Sequence, residues 1–513
     1  MVEKIPPMKV ELTIKAEGLI GYEDPLCRVL FYDPKTLRFN ECFKTTPCRE
    51  RVNPQWEAKI ELNYYFDSKQ DLRFSIEDTS DHTIGIFDTT LGQIVSQNEA
   101  IGNLEGDSRN GIIKISAKEL KNAHEKVSIR LRAHNVDKMD LFGKSDPYFI
   151  FYKQGKSEPW TQIYKSETIK NTLDPQWKPF ELTFTTLCNN NPSLPLKIEC
   201  WDYDWSSKDD FIGACEINFH QLSVPNVRFQ LIHPSKQKKN PKKYQNSGVI
   251  EIENLHVRQT HTFLDYIQAG TELNLIFAID FTISNTDYRN KSSLHYIDPN
   301  AQNEYERTIS CIGNILADYD KEKIYPVFGF GGEPEWSRKV DHCFPINKNN
   351  INPDIVGINN VLQAYRQILP CIKLAGPTIL GSIISKSLNI TRNSPTGGVY
   401  YLLVIMVDGE VQDVNQTKIE LVESSFSPMS VVIVGVGLES FSSMQEFTSF
   451  PIVDENGRKS CRNNVIFYTY KSFGGNAGIL TSSILSKIPQ HLLEYMEMIS
   501  CEPIVLEEHK TIN

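Results

Sequence analysis

The sequence predicts a multidomain protein, with two all-β antiparallel sandwiches in its first half and one doubly wound α/β domain in its second. Two observations carry this reading. Residues 53–56 read Asn-Pro-Gln-Trp and residues 174–177 read Asp-Pro-Gln-Trp, an offset of 121. Asp24-Pro25 and Asp146-Pro147 return at 122, and Leu91-Gly92 and Ile212-Gly213 at 121, so the first half is a tandem duplication of a unit of about 120 residues. After about residue 255 the texture changes from short alternating runs to alternating strands and helices.

Each repeated unit is strand-rich. Alternating runs at 9–15, 58–62, 127–132 and 180–184 are broken by Asp, Asn, Pro and Gly clusters, as in an antiparallel sandwich. In the second half, residues 273–279 form a continuous apolar strand of the kind buried on both faces of a parallel sheet. A helical stretch at 304–319, a strand at 325–330, a helix near 361–368, strands at 401–407 and 430–436 and a helical segment at 480–498 follow. The expected boundaries are 1–120, 121–254 and 255–502, with a tail at 503–513. The 513 residues suit three or four domains at roughly 150 each.

Composition excludes several classes. Apolar residues make up 40% and charged residues 23%, with 28 Gly and 27 Pro, which rules out collagen-like and broadly disordered chains. The net charge of −10 argues against a dedicated nucleic-acid binder, so no nucleic-acid partner is expected. No secretory signal, membrane-spanning run or lipidation motif stands out. Eleven cysteines without CxxC spacing read as reduced thiols, and the expected location is cytoplasmic.

The second unit holds the densest chemistry. Asp140 and Asp146 stand six apart in one cluster, and Asp202, Asp204, Asp209 and Asp210 crowd another. Carboxylates this close repel one another unless they are solvated or bridged by a cation, and Ca²⁺ suits them because it accepts six to eight oxygens in flexible geometry. Either cluster alone is equally well a solvated acidic loop. Apolar residues share these loops: Met139, Leu141 and Phe142 in the first and Trp205 in the second. Exposed aromatics between carboxylates suit a surface that enters a bilayer interface once its charge is cancelled, although Leu141 and Phe142 also suit ordinary loop packing. Lys236, Lys238 and Lys239 open a basic run that either attracts anionic headgroups or forms a solvated hairpin.

The order Asp-x5-Asp-Pro, then Asp-x-Asp-x5-Asp-Phe-Ile-Gly about 55 residues later, resembles the C2 domain, a calcium- and phospholipid-binding sandwich. The resemblance implies Asp140, Asp146, Asp202, Asp204 and Asp210 as the acidic calcium ligands, with carbonyl ligands near Met139 and Tyr203. The first unit departs from the pattern. Asp24, Asp78 and Asp88 supply at most a weak set, since Gly18, Ser80 and Thr89 stand where further acids belong. Fewer anionic ligands weaken calcium binding, so the first unit reads as structural or calcium-independent.

In the last domain, Asp280-Phe-Thr282-Ile-Ser284 follows the buried strand, where open α/β sheets bind ligands. Asp with hydroxyls at +2 and +4 offers hard oxygens to a small cation such as Mg²⁺. This resembles the metal-ion-dependent adhesion site of the von Willebrand factor A domain, a Rossmann-like fold. That resemblance implies Thr378 and Asp408 as the ligands from later loops and Mg²⁺ or Mn²⁺ as the ion. Two C2 domains followed by an A domain resemble the copine family, as do Phe263-Leu-Asp-Tyr-Ile267, Ser293-Leu-His-Tyr-Ile297, Asp318-Tyr-Asp320 and Ile488-Pro-Gln490.

The copine resemblance implies a cytosolic protein that moves to anionic phospholipid membranes when calcium rises and recruits protein partners through its A domain. A constitutive scaffold with structural metal sites is the alternative. No enzyme is expected. Gly143-Lys144-Ser145 mimics the end of a phosphate loop but has Lys138 where glycine is needed, and no nucleophile elbow, HExxH or kinase motif occurs. His261, His295 and His342 read as ordinary polar residues.

Overall fold

A computed structural model describes residues 7–20, 23–97, 99–106, 111–120, 125–139, 143–154, 159–205 and 208–503. The chain divides into two compact units: residues 1–120 together with 262–513, and residues 121–261.

Each repeated unit is a sandwich of two antiparallel sheets. In the first, the strand Met8–Glu17 lies between Gln55–Tyr64 and Ile112–Glu119 and buries Val10, Leu12, Ile14 and Ala16 at alternate positions. The facing sheet orders Arg38–Lys44, Leu26–Asp33, Asp71–Glu77 and Thr83–Thr90. The second sandwich repeats this plan, with Glu125–His134 between Phe180–Thr183 and Val249–Gln259. Its facing sheet places Pro147–Gln154 and Leu196–Asp202 between Trp160–Lys165 and Asp210–Ile217.

The repeated Asp-Pro and Pro-Gln-Trp motifs have one physical cause. The buried Trp56 indole donates to the Pro25 carbonyl at 3.0 Å, and the buried Trp177 indole donates to the Pro147 carbonyl at 3.3 Å. Each pair ties two strands across its sandwich and satisfies an indole N–H that would otherwise be buried alone.

The last domain holds five parallel strands in the spatial order Ile324–Phe330, Glu272–Asp280, Val399–Val407, Met429–Gly435 and Val465–Thr469. In chain order this is 2-1-3-4-5, so the winding reverses between the first and third strands. Leu273, Leu275, Phe277 and Ile279 face a core shared with the helices Glu304–Leu316, Ile358–Ile368, Ala477–Leu485 and Ile488–Met498. Ile276 and Ala278 face the opposite core, built on Gly381–Thr391, Val414–Ser424 and Met444–Thr448. Both faces are therefore covered, which is why the strands read as continuous apolar runs.

Three expectations need adjustment. The strand Val249–Gln259 runs past residue 254, because residues 254–259 continue to pair with Glu125–Arg130 and close the second sandwich. The helical segment at 480–498 is two helices, broken after Leu485, with Pro489 in the first turn of the second. The first sandwich and the α/β domain, read from the sequence as two domains, share one continuous core. Phe66 meets Phe263 at 4.7 Å and Tyr319 at 5.2 Å between ring centres, and the Gln268 amide donates to the Ala117 carbonyl at 2.9 Å.

Candidate functional site

The acidic loops of the second sandwich gather at one end of a sheet. Antiparallel register sets Pro147 opposite Asp202 and Asp202 opposite Asp210, so Asp146, Asp202 and Asp210 stand on neighbouring strand ends. Asp202 is 1% exposed, and its Oδ1 accepts the Asp146 backbone N–H at 2.5 Å. Asp146 Oδ1 accepts from the Asn171 N–H at 2.6 Å, and the Tyr203 N–H donates to the Asp146 carbonyl at 3.1 Å. The Met139 N–H donates to the buried Ser145 hydroxyl at 3.0 Å. Asp140, Leu141 and Phe142 lie outside the described residues.

Asp209, which sequence reading passed over for its neighbour Asp210, has a local task. It accepts the Asp204 N–H at 3.1 Å and the Tyr148 hydroxyl at 2.7 Å, fixing the loop that carries Trp205. Trp205 itself is 90% exposed. Among the described residues no three Asp, Glu, His or Cys side chains are drawn together into a metal-holding group. Like-charged carboxylates repel, and Asp146 and Asp202 have each turned to a nearby N–H donor.

The lysine run is a short helix, Pro234–Lys239, rather than a hairpin, because His233 caps it and Pro234 starts it. Lys236 is not free: its Nζ pairs with Asp137 Oδ2 at 2.8 Å, while Lys238 and Lys239 are exposed.

In the first sandwich the three acids of the expected weak set are already engaged by protein donors. Asp24 faces Arg51 at 3.5 Å. Asp78 Oδ1 accepts from the Ser80 hydroxyl at 2.5 Å and from the N–H groups of Ser80 and His82, bonds that hold its carboxyl below the usual range. Asp88 lies on a strand directly opposite Arg73 and takes two bonds of 2.7 Å from that guanidinium. Strand pairing turns Asp88 onto a sheet face beside a cation of its own.

The third candidate site lies at the carboxyl ends of the first and third strands of the parallel sheet, where the winding reverses. Asp280 is fully buried. Its Oδ1 accepts the Thr282 N–H at 2.8 Å and its Oδ2 accepts the Asp408 N–H at 3.2 Å. The Thr282 hydroxyl donates to Asp408 Oδ1 at 3.2 Å and lies 2.9 Å from the Ser284 hydroxyl. Thr378 is carried on a segment that pairs with Thr282 through Ala375, and the Ile283 N–H donates to the Ala375 carbonyl at 2.7 Å. Asp280, Thr282, Ser284 and Asp408 are thus brought together, and Thr378 follows on the adjoining loop.

Two acidic side chains are buried together at this site. Asp408 Oδ2 is buried without a hydrogen-bond partner, and no basic side chain pairs with Asp280 or Asp408 among the described residues. Burial, with the neighbouring Asp408 carboxylate, pushes Asp280 well above the ordinary carboxylate range, and burial raises Asp408 as well. Two buried acids facing each other cost several kcal/mol when both are charged, and a divalent ion relieves that cost. The donor set of two carboxylates and hydroxyls suits a hard ion such as Mg²⁺ or Mn²⁺.

Sequence reading missed the supports of this site. Gln412 grips Thr378 from both sides, accepting its N–H at 2.6 Å and donating its own N–H to the Thr378 carbonyl at 3.0 Å. Gly331, at φ +74°, is required because a Cβ there would stand 2.4 Å from Thr282 Cγ2. His295 is buried, stacks between Phe281 and Tyr305, and receives or gives a bond to the Tyr365 hydroxyl at 2.8 Å. Burial drives it down to about 3, so it is a neutral packing group.

With this geometry in hand, comparison with known proteins gives two matches to family models. The C2 domain model matches residues 10–106 and 126–237, and the Copine model matches residues 293–504. The chain has the copine architecture. Among solved structures, this chain is similar to one titled "BON1-C2B", at 24% identity over 26% of this chain and 93% of that chain, with a TM-score of 0.22. It is also similar to the paired C2 domains of Extended-Synaptotagmin 2, titled as calcium bound, at 15% identity over 50% of this chain and 98% of that one, TM-score 0.21. A single C2 domain of plant Extended Synaptotagmin 1 matches at 17% identity over 28% of this chain and 98% of its own length, TM-score 0.21. No helix among the described residues is long and apolar enough to cross a membrane.

Proposed function

We propose that this copine is a cytoplasmic calcium-responsive protein whose second C2 domain docks on anionic phospholipid membranes while its A domain holds a protein partner. It acts by binding, without a catalytic step. Trp205 is the observation that carries the reading: a 90% exposed indole directly beside Asp204, at the end of the sheet where Asp146, Asp202 and Asp210 meet. Exposing a large aromatic among carboxylates costs solvation with no return unless the surface later meets an apolar phase.

Calcium would be held by Asp146, Asp202, Asp204 and Asp210 with Asp140, and when bound it supplies the positive charge that offsets these carboxylates. The carboxylates then cease to repel acidic lipid, and Trp205 enters the headgroup region. Lys238 and Lys239 add attraction of about 1 kcal/mol each where they approach the surface. In the A domain, Asp280, Thr282, Ser284, Thr378 and Asp408 would hold Mg²⁺ or Mn²⁺, which leaves a coordination position for an acidic side chain of the partner.

Co-sedimentation with phosphatidylserine vesicles, in micromolar calcium or in chelator, tests the reading. The unmodified chain should pellet only with calcium, while Asp202→Asn/Asp204→Asn and Trp205→Ala should stay in the supernatant. Pelleting that ignores both calcium and these substitutions would favour a constitutive scaffold. The engaged acids Asp24, Asp78 and Asp88 of the first C2 domain are the feature that supports that second reading.

A further inference from the structure

Cys371 of the A domain meets a primary amine. The Lys348 ammonium, 23 positions away in sequence, donates to its Sγ at 2.9 Å. Other thiols of this chain face the main chain instead: those of Cys42, Cys48 and Cys188 turn to the carbonyls of Val29, Gln55 and Phe184. All eleven cysteines are free of disulfides.

Both partners are held by their own backbones. Cys371 ends the short turn Leu369–Cys371 that follows the helix Ile358–Ile368, and its carbonyl accepts the Glu335 N–H at 3.1 Å. Lys348 lies in the loop after the strand Phe344–Pro345, at φ +62°, and its N–H donates to the Pro345 carbonyl at 3.3 Å. The Asn347 side chain closes that loop by donating to the carbonyls of Asn352 and Asp354 at 2.8 and 3.3 Å. Two anchored segments therefore set the meeting of amine and sulfur. Lys348 is exposed and Cys371 half-buried, so small solutes reach the pair.

A lysine beside a cysteine is one of the settings that make sulfur nucleophilic and open to oxidation. The same contact holds the Lys348 ammonium above its ordinary range, chiefly through the bond to Cys371.

We infer that Lys348 and Cys371 form a covalent modification site, at which hydrogen peroxide joins Lys348 Nζ to Cys371 Sγ through one oxygen atom. The Cys371 sulfur attacks a first peroxide, whose O–O bond breaks to give S–OH and water. A second peroxide displaces that hydroxyl as water and leaves S–O–OH. The Lys348 amine then attacks the sulfur-bound oxygen, the O–O bond breaks, and the terminal hydroxyl departs as water with an amine proton. Two peroxides are consumed and three waters form, while sulfur and nitrogen each lose two electrons. Oxidation of the sulfur also removes the negative partner that held the ammonium, which frees the amine for the last step. A bridging oxygen spans nearly the separation already present, so neither segment has to move. The link fastens the lysine loop to the start of the strand Ile372–Leu374, whose chain runs on through Ala375 to Thr378.

Peptide mapping of the full chain after hydrogen peroxide treatment tests the site. Trypsin does not cut at a linked Lys348. The expected product is the Lys348 and Cys371 peptides joined, about 14 Da above their summed mass (one oxygen gained, two hydrogens lost), and separated again by dithiothreitol. It should exceed any other link between Cys371 and a lysine by about tenfold or more, because these two atoms start in contact. Lys348→Arg keeps the charge at an exposed position but has no primary amine, and Cys371→Ser has no thiol, so neither should give the product. In Lys348→Arg the Cys371 sulfur should run on to sulfinic acid. An unmodified chain whose Lys348 stays free while Cys371 is unreacted or sulfinic overturns the inference. Equal linking of Cys371 to other lysines, or the same mass gain in Lys348→Arg, overturns it as well.

Discussion

Tyr64 of the first C2 domain and Tyr319 of the A domain share a buried hydroxyl–hydroxyl hydrogen bond of 2.5 Å across 255 positions of sequence. Around it, Thr90 and Ser96 hydroxyls donate to the side chain and carbonyl of Asp318, each at 2.6 Å. The Ser482 hydroxyl bonds Asp67 from another helix of the A domain. The first sandwich is thus a packed part of the same body as the A domain.

Heating should therefore show two unfolding events, one for residues 121–261 and one for all the rest. Phe66→Ala removes the ring between Phe263 and Tyr319 and should lower the second event by about 3–5 kcal/mol, leaving the first unchanged. Calorimetry reads both. A single shared transition, or three, would contradict the two-unit division.

Adding Mg²⁺ to the chelator-treated chain should raise the melting temperature of the A-domain unit. Asp408→Asn should melt higher than the unmodified chain in chelator, because it removes one of two facing buried charges, yet gain nothing from the ion. A parallel response of the two proteins to Mg²⁺ would place the ion elsewhere.

Acid should destabilise the second C2 domain through Glu251. The Arg132 guanidinium, 2.5 Å away, with His134 and Arg228 at 3.0 and 2.7 Å, holds this carboxyl down at about 2. A depressed carboxyl contributes stability that is present above its ordinary value of 4.5 and is lost as pH falls towards 2. Melting curves of this unit between pH 5 and 2, on the unmodified chain and Glu251→Gln, check it; the substitution should flatten the loss.

Arg462 is buried, and no carboxylate pairs with it among the described residues. It donates to the carbonyls of Ser425, Ser427 and Met429 at 2.8, 2.5 and 2.7 Å and to the Tyr400 hydroxyl at 2.9 Å. Arg462→Met removes these charge-assisted bonds while the carbonyls of Ser425, Ser427 and Met429 keep Cys461, the Met429 N–H and Asn464 as donors, and it should cost about 1.5–3 kcal/mol in denaturant titration. Arg462→Lys should not rescue it, since one ammonium does not span the same acceptors.

The parts of this fold that were legible in the sequence are those set by local chemistry. Trp56 and Trp177 announced the duplication because each indole needs the carbonyl of its own Asp-Pro motif. The apolar run ending at Asp280 placed that acid at a strand end, and the hydroxyls two and four residues on fell beside it. Pattern reads whether a side chain is buried, but not against what. Tyr64, Phe66 and Leu91 pass for ordinary sandwich core, so their contact with the A domain was invisible. The pairing of Asp88 with Arg73 was hidden for a similar reason, since the two meet only through the register of neighbouring strands. Gln412 carried no motif, because its role depends on meeting Thr378 across 34 positions.

The first and last strands of the second C2 domain are antiparallel neighbours, with Glu125 paired to Gln259, so the chain enters and leaves that domain side by side. On the other unit the corresponding ends also touch, the Thr262 hydroxyl donating to Glu119 at 2.6 Å. Topologically the second C2 domain is a detachable cassette spliced into an otherwise continuous body. An engineer can lift out 121–261 and rejoin 120 to 262 through a few residues, or exchange one such cassette for another, without reopening the core of the other unit.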